Sequence, residues 1–102
     1  MIIAVDFDGT IKLPNGSANV PLLERLICEQ KNGNVVILWT CREGERLKEA
    51  LQFCLKHGLA PNYINKNAPQ SIARMRHDSR KIYADVYIDD KGVRASAELI
   101  KR

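Results

Sequence analysis

The chain has 102 residues, enough for one domain with one modest core. Hydrophobic residues make up 45% and charged residues 27%, the balance of a soluble globular protein, and no apolar run approaches the roughly 20 residues that cross a bilayer. The formal net charge of +4 favours anionic partners, yet no basic run is interleaved with aromatics, so nucleic-acid binding is only weakly indicated.

Ile2 to Val5 is a short, continuous apolar run, the pattern of a strand covered on both faces. It runs straight into Asp6, Phe7, Asp8, Gly9 and Thr10. Before it there is neither the basic segment nor the long apolar core of a signal peptide, which points to the cytoplasm. Lys12 to Ala18, with LPNGS inside, carries turn chemistry, and Asn15-Gly16 is a hairpin-type dipeptide. A helix is predicted from about Pro21 to Lys31. Proline suits its first turn, Asn32-Gly33 suits a C-terminal stop, and Leu23, Leu26 and Ile27 share a face.

Val35 to Trp39 reads as a second buried strand, with Trp39 in the core, and it ends in Thr40, Cys41 and Arg42. A helix from about Gly44 to His57 follows, with Leu47, Ala50, Leu51, Cys54 and Leu55 at helical spacing and Gly58 as its stop. Tyr63 to Asn65 is a weak third strand. Asn67 to Arg80 is polar and basic, with a short helix around Ser71 to Met75. Ala84 to Ile88 is the next strand, with Asp85 leading into it and Asp89-Asp90 at its end. Val93 to Ile100 reads as a final helix. His57 and His77 read as exposed helix-end or loop residues rather than ligands. The three cysteines are an odd number without CxxC spacing. Cys28 and Cys54 fall on apolar helix faces, and reduced core thiols are favoured over a metal or disulfide role.

Strands alternating with helices predict an α/β, three-layer Rossmann-like fold in a single domain, 1–102, with a short, mostly parallel sheet of about four strands. Ligands bind such sheets outside the carboxyl ends of the strands, where strand order reverses. Three strand ends here carry polar chemistry: Asp6 and Asp8 after the first, Thr40 after the second, Asp89 and Asp90 after the fourth.

Asp is depleted in strands, and unpaired buried charge is costly. Two like charges about 4 Å apart repel by roughly 4 kcal/mol at an effective dielectric of about 20. A hard divalent cation offsets that repulsion, and oxygen ligands without histidine favour Mg²⁺ over Zn²⁺. Mg²⁺ commonly shares its shell with a substrate phosphate. One carboxylate of the Asp6–Asp8 pair can attack phosphorus, while the other protonates the leaving oxygen and then activates water. Gly9 lets backbone approach a ligand. The Thr40 hydroxyl and the Cys41 N–H can hold phosphate oxygens at a helix N-terminus. The positive charge that phosphoryl transfer needs falls to Lys81, with Arg80 and Arg42 behind it. Plainer readings stand beside these: Asp89-Asp90 or Thr40 as helix caps, Lys81 as a solvated lysine, and Arg42 paired with Glu43 or Glu45.

These motifs resemble the haloacid dehalogenase superfamily of phosphohydrolases. AVDFDGT is similar to its first motif, an apolar strand followed by DxDGT. VVILWT is similar to its second and VYIDD to its fourth, while Lys81 in RKIYADVYIDD stands as a third-motif lysine. The resemblance implies a haloacid dehalogenase-like core acting as a Mg²⁺-dependent phosphatase on phosphate monoesters. It makes Asp6 the nucleophile and a Mg²⁺ ligand, and Asp8 the general acid/base with its backbone carbonyl on the metal. Asp89 and Asp90 become metal ligands, directly or, for Asp90, through water. Thr40 and Lys81 orient and neutralise the phosphoryl group, and Gly9, Thr10, Cys41 and Arg42 contact the substrate.

Family members often carry a cap domain, and neither Ile11 to Val35 nor Cys41 to Arg80 has room for one. The fifth strand common in the family is not expected either. An open, capless site suits a large substrate or a second copy of the chain as its lid, and small and macromolecular substrates both stay open. Two rival readings remain: a metal- and phosphate-binding module without turnover, and a phosphatase of nucleotide or polynucleotide ends served by Arg74, Arg76, Arg80 and Lys81.

Overall fold

The computed structural model of the chain describes residues 1–75 and 82–90. Within them, four strands and three helices alternate: β1 (Ile2–Val5), α1 (Val20–Lys31), β2 (Val35–Leu38), α2 (Gly44–Lys56), β3 (Tyr63–Ile64), α3 (Pro69–Met75) and β4 (Val86–Ile88). The sheet is parallel throughout, in the order β3-β2-β1-β4. The chain steps outward from β1 to β2 to β3, then returns to the other side of β1. Strand order therefore reverses at β1, and its carboxyl end is the crevice where ligands of such sheets bind.

Both faces of β1 are covered, as its unbroken apolar run requires. Ile3 and Val5 join Val36, Leu38 and Ile88 in a core closed by Leu22, Leu23 and Leu26 of α1 and by Ala50 and Cys54 of α2. Ile2, Ala4 and Ile37 face the other way, onto Ala68, Ile82 and Ala84. Register pairs Val5 with both Leu38 and Ile88, so β1, β2 and β4 stop at one level.

The first helix begins where its caps dictate. The Asn19 side chain accepts from the Leu22 N–H, Pro21 sits in the first turn, and Gly33 turns the chain away at φ +86°. Asparagine side chains also replace backbone pairing around β3. Asn62 Oδ1 accepts from the Val36 N–H at 2.8 Å, and Asn67 Oδ1 from the Tyr83 N–H at 2.7 Å. The Leu13–Ser17 turn is closed by backbone bonds from Leu13 N–H to Ser17 and from Gly16 N–H to Leu13, forming a small flap after β1.

Several expectations change. The second strand ends at Leu38, and Trp39 is 42% exposed rather than in the core. Leu55 is 51% exposed, because the buried stripe of α2 runs through Ala50 and Cys54. Cys28 and Cys41 are exposed, and only Cys54 is a core thiol. His57 is half-buried at the end of α2, its ring 4.7 Å from that of Phe53. The last strand starts at Val86, because Ala84 donates its N–H to the Tyr87 hydroxyl and Asp85 meets β1 partly through its side chain, Oδ2 accepting from the Ile2 N–H at 2.6 Å. Arg76, His77, Arg80, Lys81 and the helix expected over Val93 to Ile100 lie outside the described residues.

Candidate active site

The ladder continues one step past the strands. Asp6 donates its N–H to Ile88, Trp39 to Val5, and Asn65 to Leu38, each at 2.9 Å. Asp6 is thereby fixed at the end of β1, between the segments leaving β2 and β4. Phe7 then turns inward. It is 1% exposed and meets Phe53 edge-on at 5.5 Å. With Phe7 buried, its neighbours Asp6 and Asp8 are both left at the surface of the crevice. The turn is closed by the Thr10 and Lys12 N–H groups, both donating to Phe7, and by the Gly9 N–H donating to Lys12. Gly9 takes φ +79°, a conformation that favours glycine.

A cleft of about 390 Å³ opens there. Asp6, Asp8, Asp89 and Asp90 all line it, facing Thr40 and Cys41 across β1. Acids more than eighty positions apart in sequence thus share one crevice. Thr40 is buried, and its N–H donates to Asn65 Oδ1 at 2.8 Å, with Asn65 itself at φ +52°. The Thr40 hydroxyl accepts from the Arg42 N–H at 3.2 Å. The helix itself begins four residues later than Thr40, at Gly44, so Thr40 and Cys41 lie in the loop ahead of it rather than at a helix N-terminus.

Electrostatics divide the first two acids. Burial pushes the Asp6 carboxyl up from its ordinary value, opposed by a hydrogen bond from the Phe7 backbone and reinforced by the charges of Asp90, Asp8 and Asp89. Asp8 is pulled down, chiefly by its hydrogen bonds to Arg42 and further by the charges of Arg42, Arg46 and Lys12. Arg42 grips it bidentately, Nε to Oδ2 at 3.0 Å and Nη2 to Oδ1 at 2.8 Å. The same guanidinium lies 4.8 Å from the Phe7 ring centre and donates to the Arg46 carbonyl. Arg42 is paired with Asp8 and with neither Glu43 nor Glu45.

Four expected site residues are placed differently. Gly9 lines the adjoining pocket with Asp8, Lys12 and Asp90 rather than this cleft, and Arg42 is engaged by Asp8 outside the cleft wall. Thr10 Oγ1 is buried without a hydrogen-bond partner among the described residues, and Thr10 is not part of the cleft wall. The Asp8 side chain is committed to Arg42 rather than turned toward the other acids. Among the described residues, no three acids, histidines or cysteines stand close enough to hold a metal as they lie. The donor set nevertheless has the chemistry of a hard-cation site. Four carboxylates line one cleft, the charges of Asp90, Asp8 and Asp89 register on Asp6, and no described lysine lines this cleft. Lys81 lies outside the described residues.

Three contributors were not singled out from sequence as site residues. Asn65 holds the Thr40 backbone, and Trp39 and Tyr87 form an aromatic side of the cleft. The one advance signal for Asn65 is that asparagine tolerates positive φ better than most residues.

No helix among the described residues is long and apolar enough to cross a membrane. No family model matches the chain, and no curated protein does. Among solved structures, the chain is similar to that of a conserved protein coded by a locus of Bacteroides thetaiotaomicron. The two are 39% identical, the match covers 98% of this chain and 85% of that one, and the TM-score is 0.77.

Proposed function

The chain belongs to the same family as that conserved Bacteroides thetaiotaomicron protein, and we propose that it is a Mg²⁺-dependent phosphohydrolase of the haloacid dehalogenase type. The observation that carries this reading is the single cleft shared by Asp6, Asp8, Thr40, Asp89 and Asp90. A capping or structural role for either acid pair does not account for their meeting.

In this reading Asp6, Asp89, Asp90 and the Asp8 carbonyl would hold Mg²⁺, which when bound would supply positive charge to offset that of the acids and of the phosphoryl oxygens. The Asp6 carboxylate attacks phosphorus and the ester bond breaks. Asp8 gives its proton to the leaving oxygen, and an aspartyl-phosphate remains on Asp6. Asp8, now a base, takes a proton from water as that water attacks phosphorus, which releases phosphate and restores Asp6. Thr40 and the Cys41 N–H hold phosphoryl oxygens, and Lys81 supplies positive charge. An incoming phosphate competes with Asp8 for Arg42. Release of the guanidinium would let the Asp8 carboxyl rise back toward its ordinary value.

The test is phosphate release from an aryl phosphate with and without Mg²⁺. Asp6→Asn is expected to abolish it while circular dichroism stays native. Full activity in that variant rejects the assignment. One observation favours a second reading, a metal- and phosphate-binding module without turnover: Asp8 is already locked by Arg42. Mg²⁺-dependent turnover of any phosphate ester at native Asp8, lost in Asp8→Asn, rules that reading out.

A further inference from the structure

The cleft has an aromatic wall that phosphoryl transfer does not use. Trp39 is 42% exposed, although Val36, Ile37 and Leu38 immediately before it are fully buried. Its ring lies against that of Tyr87, with centroids 5.6 Å apart and planes inclined at 59°. Register explains the meeting. Tyr87 pairs with Ala4 of β1, Ala4 pairs with Ile37 of β2, and Trp39 is two residues beyond Ile37 on the same face.

Tyr87 is not free to turn. Its hydroxyl donates to the Ile82 carbonyl and accepts from the Ala84 N–H. One ring is thus anchored, the other leans on it, and a broad apolar face meets solvent beside four acids. Trp39 also immediately precedes Thr40, and consecutive Cα atoms are about 3.8 Å apart. A flat group resting on the indole lies next to the phosphoryl pocket. Aromatic side chains on strand ends are stacking platforms for nucleobases, because every base offers a π-face.

We propose that Trp39 and Tyr87 form a base-binding subsite, so that the substrate is a phosphate monoester of a nucleoside. This rests on the phosphohydrolase reading and narrows it. The cleft of about 390 Å³ is within the usual size of small-ligand sites, roughly 300–1,000 Å³. A free mononucleotide and the phosphorylated end of a nucleic-acid strand present the same base beside the same phosphate.

Trp39 is the chain's one tryptophan, so its fluorescence reads the subsite without turnover. In Asp6→Asn without Mg²⁺, adenosine 5′-monophosphate is expected to quench it saturably and ribose 5-phosphate is not. A short oligonucleotide with a terminal phosphate separates the two sources. Tighter, salt-sensitive quenching assigns strand ends, and equal or weaker quenching assigns the free nucleotide. In the active protein, the ratio of kcat/KM for adenosine 5′-monophosphate over ribose 5-phosphate is expected to fall about tenfold in Trp39→Ala and to recover in Trp39→Phe. Equal turnover of the two esters with no quenching overturns the subsite and leaves the phosphohydrolase intact. Saturable quenching without turnover of any ester upholds the subsite and overturns the enzyme. If Trp39→Ala does not fold, the fluorescence of the Trp39 protein decides.

Discussion

A Cβ added to Gly9 would stand 2.9 Å from Oδ2 of Asp90, so the first and last acidic motifs lie too close for any side chain at that position unless Asp90 shifts. Gly9 also holds φ +79°. Gly9→Ala is therefore expected to destabilise the fold by about 1–3 kcal/mol, from backbone strain and displacement of Asp90. Urea unfolding reads the first effect. Calorimetric titration with Mg²⁺ reads the second, as weakened binding.

Arg42 holds the Asp8 carboxyl below its ordinary value. The sign follows from Asp8 lying below its ordinary value in the fold: the stabilisation is full above the unfolded aspartate range and is lost as pH falls through the lowered value. Asp8 is 53% exposed, so a double-mutant cycle of Arg42→Ala with Asp8→Asn is expected to give about 0.2–1 kcal/mol at pH 7. That coupling should vanish in strong acid. In kinetics, Arg42→Ala raises the Asp8 carboxyl in the free protein, so the fall of kcat/KM with rising pH should move to higher pH. The kcat profile, read on the complex in which phosphate already holds Arg42, should move less.

Asp6 behaves in the opposite sense. Its carboxyl is raised mainly by burial and then by neighbouring acids. A raised carboxyl favours the fold below the unfolded value and loses that advantage as pH rises through the folded one. Asp6→Asn mimics the protonated form. The variant is expected to melt higher than the native protein at pH 7–8, with the difference closing near pH 3. A lower melting temperature at pH 7 would count against a strained, repelled Asp6.

Thiol chemistry separates the cysteines. Cys28 and Cys41 are exposed, whereas burial pushes the Cys54 thiol up to about 11. Two thiols should react with a disulfide reagent in the native protein and the third only on unfolding. Cys41 lines the cleft, so its modification should be slowed by inorganic phosphate while that of Cys28 is not.

Much of the scaffold was legible because periodicity reports burial. The run Ile2–Val5, the stripe Leu23–Leu26–Ile27 and the stop at Asn32-Gly33 each reflect local chemistry, and α1 and β1 follow from them to within a residue. Trp39 was misread because an apolar run does not reveal where its cover ends. The sheet face that hides Ile37 no longer hides Trp39 two residues later. Cys28 and Leu55 fail for the same reason, since helical spacing defines a face but not its width.

Sequence alone determined the alternation of strand and helix, and the placing of acids at the ends of β1 and β4, because both are written in neighbouring residues. Only the tertiary structure decided that β4 returns beside β1, that Arg42 reaches across to Asp8, and that Trp39 meets Tyr87 at the open edge. Those pairings join residues 34 to 83 positions apart. They depend on strand order and register, which long-range packing selects and no local pattern encodes.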